Sequence, residues 1–186
     1  MTEFVVGGRR RIDRVLAPDY LDGLPDLDLD ELRARRAEAD QEEVDLSFAR
    51  RLLQGRLDIL RAEREARESG DAGPRLPRSD DQLARELAKI LADEPRQDHG
   101  LGKHMGGPIP SRVGEHRREA ERAVADVGSS DPSPLADADL LGALEHLEDV
   151  ERRVSRARRQ VQQVVDALTQ EIARRYQAGE VPVTLP

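Results

Sequence analysis

The chain of 186 residues contains no cysteine. Disulfide frameworks, zinc ribbons and thiol nucleophiles are therefore excluded. Tryptophan is also absent, and two tyrosines and two phenylalanines bring the aromatic share to only 2%. Aromatic side chains supply much of the buried area in compact cores. With 37% apolar residues in total, a sandwich, a barrel or a doubly wound α/β fold is not expected. No run of about 18 apolar residues occurs, so no membrane-spanning helix is expected. From Met1 to Arg11, an early Glu3 and arginines that follow a short apolar patch reverse the order of a secretory signal. The expected location is the cytoplasm.

What the chain has in quantity is charge. Charged residues make up 37% of it, against about a quarter in an average globular domain. Ala, Leu, Glu and Arg dominate, which favours elongated helices joined by flexible connections. The net charge is -8. Such a balance disfavours direct binding to DNA or RNA, which needs cations to neutralise phosphates. It suits a basic protein partner better. Lys89 and Lys103 are the only lysines, so nearly every cation is a planar, bidentate arginine donor.

Glycine and proline divide the chain. Residues 1–27 are broken by Gly7, Gly8, Pro18, Gly23 and Pro25, and read as irregular with a turn of helix around Asp13 to Leu16 or Asp19 to Leu24. Asp28 offers an N-cap, with Glu31 placed for a capping box. One helix is expected over 28–69, roughly 60 Å long at about 1.5 Å per residue. Residues 70–134 are rich in Gly, Pro, Ser and Asp, and read as a long, partly disordered connection. Short helices are expected inside it at Asp80 to Ala92 and Glu115 to Val127, with Pro95 to Gly114 mobile. A second long helix covers 135–178, with Asp131 and Ser133 as candidate caps. Gly179 and Pro182 stop it, leaving a tail over 179–186.

The second helix has a heptad seam, with Leu140, Leu147, Val154, Val161 and Leu168 in one row and Ala143, Val150, Ala157 and Val164 in the other. In the first, Leu32, Ala39, Leu46, Leu53 and Leu60 make one row. The other holds Arg35, Glu42, Ala49, Arg56 and Glu63, and Leu52 and Ile59 are expected to widen the seam from one flank. The fold class expected is all-α: an antiparallel two-helix coiled-coil hairpin with a long connection that contains short helices.

The two long helices also repeat one another. Residues 43–58, EVDLSFARRLLQGRLD, align without gaps to residues 151–166, ERRVSRARRQVQQVVD. The shared polar residues are Glu43, Ser47, Arg50, Gln54 and Asp58 in the first copy, and Glu151, Ser155, Arg158, Gln162 and Asp166 in the second. At about 100° per residue each set falls within roughly 80° of arc, a single stripe beside the apolar seam. Charge stripes on helices are usually solvated faces. A duplicated Arg/Glu-rich coil would give the same look, yet Ser and Gln persist here while Phe48/Arg156 and Gly55/Gln163 differ. Arginine presents paired donors that fit guanine O6 and N7 or phosphate oxygens. A carboxylate can accept from guanine N1–H and N2–H. Two such ridges, antiparallel, make a pseudo-twofold groove suited to a ligand with two guanines. Facing arginines and carboxylates in that groove are expected to lack partners while it is empty, which leaves the helix register loose until a ligand fixes it.

The twin E-x3-S-x2-R-x3-Q-x3-D repeat resembles the signature of the RsiG family of anti-sigma factors from sporulating actinobacteria. All ten motif positions and the plan of long helix, long connection and long helix agree. The resemblance implies an antiparallel hairpin that binds a cyclic di-GMP dimer and then holds a flagellar-type, WhiG-like sigma factor away from core polymerase, repressing transcription. It makes Arg50, Asp58, Arg158 and Asp166 the guanine contacts, with Glu43, Ser47, Gln54, Glu151, Ser155 and Gln162 completing the stripes. Some relatives carry one motif and work as homodimers; both motifs here imply a chain that is monomeric before it meets its partner. The acidic segment from Asp19 to Glu31 is a candidate for part of the sigma surface.

Other signals are weaker. His99, Gly100, Gly102, His104 and Gly106 hint at a metal or phosphate loop, but structural zinc takes four ligands and too few are at hand. His116 and His146 sit on polar-flanked helical stretches and read as surface residues. Walker, GxSxG and HExxH motifs are absent, as are the GGDEF, EAL and HD types that make or degrade the nucleotide. An enzyme is not expected. Two other classes stay open: a cyclic di-GMP receptor that acts on another protein, and a structural coiled coil without a ligand.

Overall fold

The computed structural model describes residues 4–69, 108–112, 114–127 and 131–180. Among them it is all helical, with no strand. Two long helices, α2 (Leu29–Glu68) and α4 (Asp137–Gln177), pack along their length as an antiparallel pair. Two short ones, α1 (Arg11–Val15) and α3 (Glu115–Asp126), lie against them.

The heptad rows become the core. Leu32, Ala39, Leu46, Leu53 and Leu60 are all fully buried, facing Leu140, Leu147, Val154, Val161 and Leu168. Burial of this seam drives the pairing, since each Leu or Val withdrawn from water contributes about 1.5–3 kcal/mol. The Asp28 carboxylate caps α2 by accepting the Glu31 N–H at 2.7 Å. The Glu31 side chain turns forward instead, to Arg35 Nε at 3.0 Å.

The weaker row of α2 is where the molecule departs from a bare hairpin. Glu42 and Arg56 are buried there, 1% and 6% exposed, because α1 and α3 cover that side. Ile12 and Val15 of α1 and Ala120 and Ala123 of α3 join the core. Glu42 and Asp45 of α2 are met by polar residues from α1, from α3 and from the segment just ahead of α3. Arg11 donates from Nε to Glu42 at 2.5 Å and also binds Asp45. Ser111 donates to Asp45 from its backbone N–H at 2.7 Å and its hydroxyl at 2.8 Å, and His116 closes on the other Glu42 oxygen. Burial alone would raise the Glu42 carboxyl, but His116 and Arg11 together hold it below its usual range.

Three expectations are corrected by this arrangement. His116 is not at the surface: it is 4% exposed, whereas His146 is exposed. Ile59 does not widen the seam, being 47% exposed, and only Leu52 packs onto the core from that flank. The described part of the first segment, residues 4–27, is more ordered than its glycines and prolines imply. It forms α1 and a 3-10 turn at Leu24–Asp26, whose carbonyls are held by buried Arg175 at 2.7 and 3.2 Å.

Helix α4 begins at Asp137 rather than at 135. Asp131 accepts instead from Ser133, at 2.9 Å from the amide and 2.6 Å from the hydroxyl, and so builds a turn ahead of the helix. Arg67, at the end of α2, ties that turn down through the carbonyls of Leu135, Pro132 and Ser133 and the Asp137 carboxylate. Gly179 stands at φ 70, a left-handed conformation, just beyond the end of α4. The expected helix at Asp80 to Ala92, the tail from 181 and most of the segment expected to be mobile lie outside the described residues.

Candidate functional site

The two sequence stripes lie on one face of the α2–α4 pair, on the flank away from α1 and α3. They meet by crossing over. Arg50 of α2 donates from Nε to Glu151 of α4 at 3.2 Å. Arg158 of α4 donates from Nε to Glu43 of α2 at 2.8 Å. Each glutamate oxygen is a hub. Oε1 of Glu151 also accepts from Ser155 at 2.8 Å and Gln54 at 3.4 Å. Oε1 of Glu43 also accepts from Ser47 at 2.8 Å and Gln162 at 3.4 Å. Ser47 accepts in turn from Arg158 Nε at 2.8 Å. The chemistry of the two clusters is the same, related by the pseudo-twofold that the repeat implies.

This overturns one expectation about the groove. Its arginines and glutamates do not lack partners: they are each other's partners. The cause is register. The crossed pairs place residues 43 and 50 opposite 158 and 151, so the charged ends of both motifs coincide at the centre of the groove. All four groups are partly exposed, with side-chain accessibilities from 18 to 31%. They are open enough to be reached by a ligand and sheltered enough to hold a defined geometry.

The same register separates the last motif residues. Asp58 and Asp166 stand at opposite ends of the groove, about 35 Å apart along the axis at about 1.5 Å per residue. Both are exposed, and Asp58 has Arg61 Nη1 at 3.7 Å. The structure thus brings together eight of the ten motif residues and leaves the two aspartates at the outer limits.

Several residues on this face were not singled out by the repeat. Arg61 reaches across to Glu148 at 2.9 Å, just beyond Gln54. Buried Leu57 and Leu144 close the groove floor at that end. At the other end, Asp40 sits one turn ahead of Glu43, with Arg36 Nε at 3.5 Å. Burial pushes the Asp40 carboxyl above its ordinary value; Arg36 opposes this and Glu43 adds to it. The signal in the sequence was simple continuation, since Arg36, Asp40 and Arg61 extend the helical spacing of the stripe, but they fall outside the repeated unit.

Among the described residues no group of three or more His, Asp or Glu is placed to hold a metal ion. The loop at His99 to Gly106 lies outside them. No described helix is long and apolar enough to cross a membrane.

No match is found among curated proteins. The family described as RsiG-like matches residues 18–91 and 125–186, which include both motifs in full and all of α2 and α4. The chain therefore belongs to the RsiG-like family, one of anti-sigma regulators and not of enzymes.

Proposed function

We propose that this protein is an anti-sigma factor that binds a cyclic di-GMP dimer along the groove between α2 and α4 and, so loaded, sequesters a flagellar-type, WhiG-like sigma factor. The observation that carries the reading is the crossed, twofold placement of Arg50 with Glu151 and Arg158 with Glu43. It puts two guanidinium groups on one face, within about 10 Å of each other along the axis. It also offers the same donors and acceptors to two copies of one ligand. The span of about 35 Å between the outer carboxylates is longer than a single cyclic dinucleotide, which favours a pair.

In this reading Arg50 and Arg158 donate to guanine O6 and N7 or to phosphate. Asp58 and Asp166 accept from guanine N–H groups further out. Four motif carboxylates and two motif arginines leave the stripe acidic, and Arg36 and Arg61, which already face Asp40 and Glu148, flank it at either end. Binding fixes one relation between the two long helices, and the partner recognises the resulting surface. The partner must then raise nucleotide affinity by the factor by which nucleotide raises partner affinity.

Calorimetry with cyclic di-GMP tests the first step. Arg50→Ala and Arg158→Ala should each weaken binding by about 1–3 kcal/mol, and unchanged affinity in both would sink the reading. Capture of the organism's flagellar-type sigma factor, with and without the nucleotide, tests the second. Nucleotide binding without any gated capture would leave a receptor that acts on another partner.

A further inference from the structure

We infer that Glu43 and Glu151 are positioning residues that act across the helix pair, each setting the guanidinium of the other motif, so that every half-site is built from both motifs. This rests on the reading of the groove as a guanine-ligand site and goes beyond it, by assigning roles within the stripe that the order of residues in the motif does not give.

The bonding pattern carries the assignment. Each arginine is gripped by its Nε alone, and among the described residues neither Arg50 nor Arg158 makes any bond through its Nη groups. A guanidinium held at Nε loses rotation about its long side chain while its two Nη groups stay available. That terminal pair is the one that can fork onto two acceptors. Each glutamate, in contrast, is heavily used. Its Oε1 accepts from a serine on its own helix and from an arginine and a glutamine on the other. A carboxylate with three donors on one oxygen is fixed in place and serves as an anchor rather than as a free acceptor for a ligand.

The grouping therefore differs from the one the sequence shows. One half-site is Arg50 with Gln54 of α2 and Glu151 with Ser155 of α4. The other is Arg158 with Gln162 of α4 and Glu43 with Ser47 of α2. Orienting groups of this kind fix a reader within its productive geometry before the ligand arrives, which lowers the ordering cost of binding.

Double-mutant cycles separate this from the simpler view in which each motif works as its own unit. In calorimetry with cyclic di-GMP, Glu151→Ala should weaken binding about tenfold, a loss of about 1.4 kcal/mol. The loss should vanish in an Arg50→Ala background and persist undiminished in an Arg158→Ala background. Glu151→Gln keeps an acceptor at the same reach and should restore most of the affinity. A full Glu151→Ala loss in the Arg50→Ala background, or a loss abolished only by Arg158→Ala, would overturn the crossed assignment. A second readout needs no ligand: the Arg50 Nε–H resonance should shift and exchange faster in Glu151→Ala and stay unchanged in Glu43→Ala. If the wild type fails to bind the nucleotide, the ligand reading falls and this spectrum still decides the pairing. An Arg50 signal that follows Glu43, or neither glutamate, would overturn it.

Discussion

His116 and Glu42 meet inside the protein although neither is an apolar residue and 74 positions separate them. Each is almost fully buried, at 4% and 1% exposure, and Arg11 takes the second Glu42 oxygen at 2.5 Å. Through this contact α3 is held on α2.

Removing one member should leave the other charge or dipole stranded. We expect His116→Ala to destabilise the protein by about 3 kcal/mol, the usual range for breaking a buried pair, with Glu42→Ala at least as damaging because Arg11 also loses one of its two partners. Chemical denaturation at neutral pH measures both. A change below about 0.5 kcal/mol, the level of an ordinary surface substitution, would show that the contact is incidental.

Acid should loosen the N-terminal segment first. Asp13 accepts from Arg10 side-chain nitrogens at 2.7 and 2.8 Å and from the Val5 amide at 2.9 Å. The Arg10 side chain, foremost, together with the Val5 and Arg10 amides and against the opposing effect of burial, lowers its carboxyl to about 2 from an ordinary 3.8. A depressed carboxyl contributes stability that is complete above its ordinary value and disappears as the pH falls through the folded one. The acid limb of the stability curve should therefore steepen between about pH 4 and pH 2, and Asp13→Asn should flatten it. Gly8→Ala should mimic the defect at neutral pH, because a Cβ there would fall 2.1 Å from Asp13 Oδ2.

The seam should tolerate no charge. Leu53 and Val161 are fully buried in it. Leu53→Asp or Val161→Asp should unfold the hairpin, since an unpaired carboxylate cannot be buried at such a site. Circular dichroism would show helix loss. Retained helicity would mean that the seam carries little of the stability. Both half-sites lie on one chain, so light scattering should find a monomer, and an obligate dimer would contradict that.

Helix α2 also contains an avoidable weakness. Gly55 lies mid-helix with nothing within 4 Å of where a Cβ would stand, and Gly142 of α4 is similarly open. Gly55→Ala should stabilise the fold by about 0.5–1 kcal/mol by removing the entropy that glycine gives the unfolded chain. A raised melting temperature checks it, and a lowered one would show that the glycine serves an unseen contact.

How much of this the sequence disclosed depends on where partners come from. The apolar rows and the twin stripe were legible because they repeat with the helix period, and α2, α3 and α4 follow from them and from the glycines and prolines that bound them. The buried Glu42 looked like a fault in a heptad because its partners, Arg11 and His116, arrive from distant segments that periodicity does not connect. A trace was present even so: His116, Ala120, Ala123 and Val127 fall at helical spacing on one side of α3, and all four are buried. Arg67, which organises the start of α4 through carbonyl oxygens, left no such trace, because backbone acceptors have no sequence signature. In the groove, the members of the stripes could be read, but the cross-pairing could not, since it depends on the register of two helices and not on either one.

The crossed bonds span 101 and 115 residues, and on the proposed reading this separation sets when in its life the protein can be occupied. A nascent chain that has released α2 but not α4 carries one reader without its orienting glutamate and one glutamate without its reader. The Arg50 pocket cannot exist until residue 155 has left the ribosome and folded back, nor the Arg158 pocket until residue 162 has done so. Proteolysis within residues 70–107 would divide each pocket between two fragments, and only their reassociation would restore either. On the proposed reading, competence to bind thus certifies that both long helices have been made and have closed on one another.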